Sequence, residues 1–571
     1  MLLLAGCVCV GLMRPACAQR TRSIAEIRAA IAAGSEHLIA LQQPDGSWKE
    51  PNVQHGGAGY DVGRTALAVL ALQHSGLAER KQNVRTAIHK GLTFITQQWP
   101  EAKTYTAGLV QQVLYKAGHR RHAYRKHLSM YGWMLAKSQK VFGPQAGCYS
   151  YGLFQFPKDF DKRRNYEPSR SMLSGRGDNS NTQFGILGLL YSHKAGVQIP
   201  RIVWRRAQKY YIGAQHQDGG WDYQSAAYRM AQGQAADARP ASQNMSFAGT
   251  ISLYICNEML YAGKHDQCKP PPYSRPVELG LKWVADNWRN SHAPYGWYAM
   301  ERLGILTGYS EFGGHDWYQA GAAQLCPRVS RGGGNMPDLA FGILFLSRGL
   351  EPILINKLKR TGDWNLHWHD IKHLVEFVSE KYQYGKQWRI VTLQPSVDYL
   401  LKVPILWISG HEKLIFTAEE KAKLKEYVER GGTILGEACC SQRAFDESFR
   451  ALLAELWPDS KLRELPKTHP MYDYRKKLPS FRPKIEGLAI KANQGRLGVI
   501  YLPHGISCQW ERGGSRAGNA FFFGANVTLY IDEKIARRFK TADQLEREKV
   551  PTIPTPILPD VGDDDVDEEE E

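Results

Sequence analysis

Past its first few residues the chain has no apolar run approaching the roughly 18 residues that a membrane-spanning helix needs. That excludes a bundle of transmembrane helices. No nucleic-acid-binding motif is present, so nothing points to a specific DNA or RNA partner. Paired cysteines at the spacing of metal-binding motifs are missing as well. Acidic residues are outnumbered, 56 Asp and Glu against 73 Lys and Arg, for a formal charge of +17. Nine of the acids crowd into 559–571, so the rest of the chain is more basic still. Such a surface suits anionic surfaces or polymers, and diffuse charge serving solubility explains it equally well.

The N-terminus has the marks of an export signal. Leu2 to Met13 is an apolar core, and Ala16-Cys17-Ala18 fits a cleavage site before Gln19. A basic leading region is absent, which suggests a start further upstream. Leu4-Ala5-Gly6-Cys7 has the form of a lipoprotein signal, so lipid anchoring is the alternative to cleavage. The expectation is a signal peptide over 1–18 and an exported, periplasmic or envelope protein. Seven cysteines follow it, an odd number that leaves at least one thiol without an intramolecular disulfide partner.

What the chain does contain is a repeated turn. Gln42-Gln43-Pro44-Asp45-Gly46-Ser47-Trp48 is echoed by Gln215-His216-Gln217-Asp218-Gly219-Gly220-Trp221. Each copy follows an amphipathic run and precedes an apolar one. Asp-Gly suits a tight turn, Gln can satisfy an open helix end, and Trp is a plate that covers the next helix. Amphipathic runs near 24–41, 82–97, 122–140, 201–214, 276–290 and 315–326 alternate with largely apolar ones near 65–72, 104–117, 181–193, 246–261, 295–308 and 338–348. Six outer and six inner helices in a closed double ring follow from that alternation, with an open solenoid as the alternative.

The turn resembles the Gln-Trp repeat of the terpenoid cyclase and prenyltransferase superfamily, over about 23–350. The resemblance implies an α6/α6 toroid in which the repeat is structural. The N-termini of the inner helices would ring one mouth, offering Asp61, Arg64, Asp178, Asn181, Asn244, Trp297 and Glu301 to a ligand. Helix capping explains several of them without one. The resemblance also carries two tests of activity. The cyclase acid motif, Asp-x-Asp-Asp-Thr, maps onto Asp178-Asn179-Ser180-Asn181-Thr182, where Ser180 and Asn181 cannot deliver the proton. The prenyltransferase zinc set needs Asp-x-Cys, and Asp266-Gln267-Cys268 lies in a loop of the wrong context. The expectation leans away from an enzyme. It favours binding of an isoprenoid, a glycan or a peptide, with isoprenoid chemistry as the alternative.

From about Asp363 the pattern becomes short buried strands alternating with helices: Trp388 to Leu393, Pro404 to Ser409, Thr433 to Glu437 and Leu497 to Leu502. A parallel α/β domain over 363–545 is expected. Ile408-Ser409-Gly410-His411, Arg430 through Cys440, Thr468-His469-Pro470, Ser507 through Glu511 and Gly524-Ala525-Asn526 carry a resemblance. It is to a bacterial domain-of-unknown-function family (number four-one-five-nine) with a class I glutamine amidotransferase-like, flavodoxin-like fold. Neither the Gly-x-Cys-x-Gly elbow nor the His-x-Glu pair of the amidotransferases occurs, so glutaminase activity is not expected.

Ligands of open α/β sheets bind beyond the carboxyl ends of the strands. His411, Glu437, Cys439, Cys440, His469 and Cys508 are the candidates there. A disulfide from Cys508 to Cys439 or Cys440, a metal site, a thiol nucleophile and ordinary packing all stay open. No cofactor is required, and zinc is the metal kept in view. The tail, 550–571, is Pro-rich and then acidic, and is expected to be disordered.

Overall fold

The computed structural model describes residues 21–536, except 50–59, 119–121, 156–169, 171–172, 175, 236–238, 262–267, 269–273, 290–292, 491–494 and 514–517. The expected export signal, the acidic tail and Asp266 lie outside the described residues. No described helix is long and apolar enough to cross a membrane.

The first half is built of helices α1 (Ile24–Ala40), α2 (Asp61–His74), α3 (Gln82–Gln97), α4 (Thr104–Gly118), α5 (His122–Ser138), α6 (Asn179–Lys194), α7 (Arg201–Ala214), the short α8 (Ala226–Ala231), α9 (Gln243–Tyr261), α10 (Ser274–Asp286), α11 (Pro294–Thr307), α12 (Trp317–Ser330) and α13 (Met336–Arg348). A hairpin, β1 (Glu311–Phe312) with β2 (His315–Asp316), precedes α12. α2, α4, α6, α9, α11 and α13 pack in that order, and α13 returns to α2, so they close a ring. The remaining long helices pack outside it. α2 is buried from Val62 to Gln73 except at Arg64, and α13 from Leu339 to Arg348. A helix covered on every side must be apolar all round, which is why these runs lack a polar face.

The repeated turn stitches the ring. Gln42 Nε2 donates to Gly46 O (3.0 Å) and to Ala87 O in the next outer helix (2.9 Å). Gln215 repeats this with Gly219 O (2.8 Å) and Pro276 O (2.9 Å). Trp48 Nε1 donates to Leu38 O and Trp221 Nε1 to Tyr211 O, and both indoles are buried. Gly46 and Gly219 have φ of 87° and 96°, and a Cβ at either would strike the backbone of the adjoining outer helix, Lys90 O at 2.4 Å or Leu279 O at 2.6 Å. A third copy escaped the sequence reading. Gln139 bonds Gly147 O and Val203 O, Gly147 has φ of 105°, and the plate is Tyr149 instead of Trp.

The second half has strands β3 (Ile353–Leu358), β4 (Gln387–Val391), β5 (Ile405–Gly410), β6 (Thr433–Ala438), β7 (Arg463–Glu464), β8 (Glu486–Ile490) and β9 (Arg496–Leu502). Its helices are α14 (Asp370–Tyr382), α15 (Val397–Leu400), α16 (Ala418–Glu429), α17 (Arg443–Leu456), α18 (Ser507–Arg512) and α19 (Gly518–Tyr530). One seven-stranded sheet runs β4-β3-β5-β6-β9-β8-β7. The first five strands are parallel; β8 and β7 are antiparallel, so the sheet is mixed where a parallel one was expected. β3 begins at Ile353, ahead of the change of pattern expected at Asp363; only the turn Gly349-Leu350-Glu351-Pro352 separates it from α13. The chain turns from β4 on one side of β3 to β5 on the other. The sheet therefore has a switch point at the carboxyl ends of β3 and β5.

α14 lies across the carboxyl ends of the inner helices. Tyr115 of α4 bonds Glu380 (2.7 Å), Lys194 of α6 pairs with Glu376 (2.9 Å), and Glu258 of α9 pairs with Lys372 (2.8 Å) and His373 (3.1 Å). The α/β domain thus sits on the mouth opposite the one ringed by helix N-termini.

Candidate metal centre

Four cysteines meet where the sheet's carboxyl edge faces the toroid. Cys439 and Cys440 follow β6 directly, in a tight turn. Cys508 is in the first turn of α18, after β9. Cys268 comes from the toroid, in the connection from α9 to α10. The six Sγ–Sγ separations are 3.0 Å (Cys268–Cys440), 3.3 Å (Cys268–Cys508), 3.5 Å (Cys268–Cys439), 3.5 Å (Cys440–Cys508), 3.8 Å (Cys439–Cys508) and 3.9 Å (Cys439–Cys440). Every sulfur is near every other, so the four are corners of a tetrahedron. Two imidazoles flank it. His367, after β3, places Nε2 at 3.2 Å from Cys439 Sγ and 3.3 Å from Cys508 Sγ. His411, after β5, has a ring nitrogen within 4.8 Å of Cys268, Cys439 and Cys440.

The surrounding chain is built to hold this arrangement. The Glu437 carboxylate is fully buried and accepts from Ile506 N (3.3 Å), Ser507 N (3.1 Å) and Ser507 Oγ, tying the start of α18 to β6. Burial pushes its pKa up to about 7 against those hydrogen bonds. Gly505 admits no side chain, since a Cβ would stand 2.4 Å from Cys440 N. Asp363 accepts from the backbone N–H of His411 and Glu412 and pairs with Arg360 (3.1 Å), fixing the turn after β5. Cys268, Cys440 and Ser441 have φ of 48°, 53° and 56°, left-handed values that cost non-glycine residues energy and cluster at functional sites.

The cysteines of the cluster do not titrate alike. The Cys268 thiol is held far below its usual range because the Cys439 and Cys508 thiols donate to it, against the effect of burial. Cys439, as donor to Cys268 and Cys508, is pushed up in turn, and burial with the same neighbours pushes Cys440 up to about 12. Burial would depress His367, but its hydrogen bonds to Cys268 and Cys508 prevail and raise it to about 11. Negative charge therefore sits on the Cys268 sulfur, balanced by the protonated His367 ring, and a bound ion would take over the charge of that proton. A zinc ion with Zn–S bonds near 2.3 Å sets tetrahedral sulfurs about 3.8 Å apart; four of the separations here run from 3.5 to 3.9 Å, and the two shortest, 3.0 and 3.3 Å, both involve Cys268. The donor set fits such an ion.

A buried pair braces the two segments that carry His367 and Cys508. Glu511 accepts from His369 N (2.6 Å) and faces His369 Nδ1 (2.9 Å). Burial pushes the Glu511 carboxyl up, yet the charge and hydrogen bond of His369 hold it near 2, below the ordinary 4.5. A depressed carboxylate contributes stability above pH 4.5 and loses it as the pH falls toward 2, a total of about 3 kcal/mol. Urea unfolding of the wild type and Glu511→Gln at pH 6 and pH 3.5 is expected to show a stability gap that narrows at the lower pH. A gap independent of pH would remove the charge on Glu511 from the account.

The candidates read from sequence fall in several places. His411, Cys439, Cys440 and Cys508 come together. Glu437 lies beneath them as an anchor of α18. His469 does not join: its Nδ1 caps its own turn at Met471 N and its ring packs on Tyr530. All seven described cysteines are free, so no disulfide links Cys508 to Cys439 or Cys440.

At the toroid mouth Asp61 pairs with Arg64 (3.6 Å). Asp178 caps α6, accepting from Asn181 N (2.7 Å) and Asn181 Nδ2 (2.8 Å). Asn244 is half-buried in the first turn of α9. Trp297 and Glu301 are not at the mouth, a correction that helical phase explains. Trp297 points to the outer layer, where it bonds Gln324 of α12 (3.2 Å), and Glu301 is fully buried further along α11, 3.0 Å from Arg348. Ser180, at the position of the cyclase acid, is held by Tyr105 (2.7 Å) and Tyr295 (3.0 Å).

Cys268 and His367 also belong to the cluster: the sequence offered Cys268 only as part of Asp266-Gln267-Cys268, where its loop context counted against it, and His367 not at all. Cys268 is 171 residues from Cys439, and no spacing rule spans that distance.

Residues 354–531 match the family model DUF4159, a domain of unknown function. The DUF4159 region contains every donor of the centre except Cys268. No curated protein matches the chain. Among solved structures, the type II terpene cyclase MstE from Scytonema is similar at 13% identity and a TM-score of 0.32, over 54% of this chain and 79% of its own. The GH76A alpha-1,6-mannanase from Salegentibacter sp. HEL1_6 is similar at 8% identity and a TM-score of 0.38, over 57% and 99%. The ring architecture described above stands on its own helix contacts.

Proposed function

We propose that this is a metal-locked binding protein of the bacterial envelope, in which a thiolate-bound divalent ion of the zinc class fastens the toroid to the DUF4159 domain. The observation that carries the reading is the tetrahedron of four sulfurs, one from the toroid and three from the α/β domain. Cys268, Cys439, Cys440 and Cys508 would hold the ion, with His367 and His411 in reserve. Soft thiolates select zinc over the hard cations magnesium and calcium. A closed shell of four protein ligands is the pattern of a structural site, and catalytic zinc keeps a position open.

Two features support binding elsewhere. The five parallel strands, numbered by their own order, run 2-1-3-4-5, as in flavodoxin-like sheets that bind ligands at the switch point; this also supports the amidotransferase-like ancestry. A cleft of about 410 Å³ lies between the toroid's hairpin and the ends of β3 and β4, lined by Tyr309, Phe312, Lys359, Ile390, Thr392 and Tyr399. At the toroid mouth, Ser180 in place of an acid weighs against cyclase chemistry.

The test is elemental analysis of the protein purified without chelator, with thiols counted before and after denaturation. One zinc per chain is expected, with four thiols unreactive until the ion is removed. Absence of metal from protein reconstituted with excess zinc sinks the proposal.

A further inference from the structure

We infer that the centre is an oxidant-operated joint: a peroxide would couple Cys268 to Cys440 as a disulfide between the two domains and expel the metal. The inference rests on the metal reading for the ion that leaves, but the disulfide itself rests on geometry alone. Cys268 and Cys440 are the closest pair of the cluster at 3.0 Å. Cys440 is exposed, Cys508 is half-buried, and Cys268 and Cys439 are buried, so a small oxidant in water meets Cys440 first. Both partners lie on left-handed, non-glycine backbone, at φ of 48° and 53°. The chain therefore holds each thiol in a conformation that neither residue would choose unassisted.

The competing pairings are weaker. Cys439 and Cys440 are adjacent, and consecutive Cα atoms lie about 3.8 Å apart, below the roughly 4.4–6.8 Å that a disulfide spans. Cys439–Cys508, at 3.8 Å, is a wider pair, and its two thiols are occupied with His367. Cys268–Cys508, at 3.3 Å, is the nearest rival, and Cys508 is less accessible than Cys440.

The step balances with hydrogen peroxide as the oxidant. Cys440, kept as a thiolate by the ion it would help hold, attacks one peroxide oxygen, the O–O bond breaks, and a sulfenic acid and hydroxide form. The Cys268 thiolate then attacks that sulfur, forming the S–S bond and releasing a second hydroxide. Both hydroxides take protons from solvent. Two thiolates lose two electrons in all and the peroxide is reduced to two waters. The ion, deprived of two of its four sulfurs, dissociates. A non-covalent joint between the domains would become a covalent one, with Cys439 and Cys508 left as thiols.

The experiment uses the intact zinc-loaded protein, its zinc measured beforehand, treated with stepwise hydrogen peroxide. Released zinc is followed with a colorimetric chelator, and non-reduced peptides are mapped by mass spectrometry. One zinc released and two thiols lost per chain, with Cys268 and Cys440 peptides joined, is the expected result, reversed by dithiothreitol and added zinc. Zinc retained in excess peroxide, zinc lost with only sulfinic or sulfonic acids formed, or a disulfide between other cysteines overturns the inference. A protein that starts without zinc yet still forms the Cys268–Cys440 bond would instead overturn the metal reading and leave the covalent joint standing.

Discussion

Removing the proposed ion is expected to lower the unfolding midpoint of the α/β domain by about 8–16 °C. An ion at a thousandfold excess over its dissociation constant stabilises the folded state by about 4 kcal/mol. For a domain of this size each kcal/mol shifts the midpoint by about 2–4 °C. Cys268→Ser should separate two effects that a chelator merges. Cys439, Cys440 and Cys508 remain, with His367 3.3 Å from Cys508 to complete a tetrahedral set, so the ion is expected to stay bound at reduced affinity. The toroid loses its share of the site, so amide exchange in α14 and in the ends of α9 should quicken while β6 and β9 stay protected. Scanning calorimetry with and without chelator, and hydrogen exchange on the variant, read these outcomes. If α14 exchanges at the wild-type rate in Cys268→Ser, the centre belongs to the α/β domain alone and does not join the two.

The second large effect concerns the charges buried under α14. Lys372 and Glu258 each expose only 3% of their side chains and pair at 2.8 Å, with His373 on the same carboxylate at 3.1 Å. Burial pushes Glu258 up, but the Lys372 charge and the His373 hydrogen bond outweigh it and hold the carboxyl far below its usual range. Glu258→Ala leaves the Lys372 ammonium desolvated with only Glu376, at 3.2 Å, as a partner. Breaking a buried pair on one side costs about 3–5 kcal/mol. Replacing both members by methionine removes the unpaired charge and should recover most of that loss. Urea unfolding followed by tryptophan fluorescence compares the single and double variants. A single variant within 1 kcal/mol of wild type, an order-of-magnitude threshold, would mean that water reaches the pair and that α14 docks more loosely than drawn.

Much of the fold was legible because it repeats. The alternation of amphipathic and apolar runs sets which helices face water and which are enclosed, and burial leaves that mark in every inner helix. Gln42 and Gln215 could be read as ties between helices because each sits in the same turn before the same glycine and Trp. The third tie, Gln139 with Tyr149, was hidden by a longer insertion and a changed plate, although its bonds are equivalent. At the mouth, proximity in sequence misled: Trp297 and Glu301 follow Tyr295 by two and six residues, and a helix of 3.6 residues per turn swings them to other faces. In the second half β4, β5, β6 and β9 were visible as apolar runs, but β3, β7 and β8 were not: β3 lies close behind α13, and the pairing of β7 and β8 depends on a partner outside the run.

For this protein the sequence alone set the alternation of helices, four of the five strands of the parallel core and the identity of most sulfur donors. It could not bring the donors together. Cys268 lies in a toroid loop, His367 after the first strand and Cys508 after the last. Their meeting follows from where the switch point of the sheet lands on the ring of helices. Side-chain periodicity is a local property, written within a few turns of chain. A metal centre drawn from two domains is a property of how they dock, and docking is settled by the sum of weak surface contacts that no single stretch encodes.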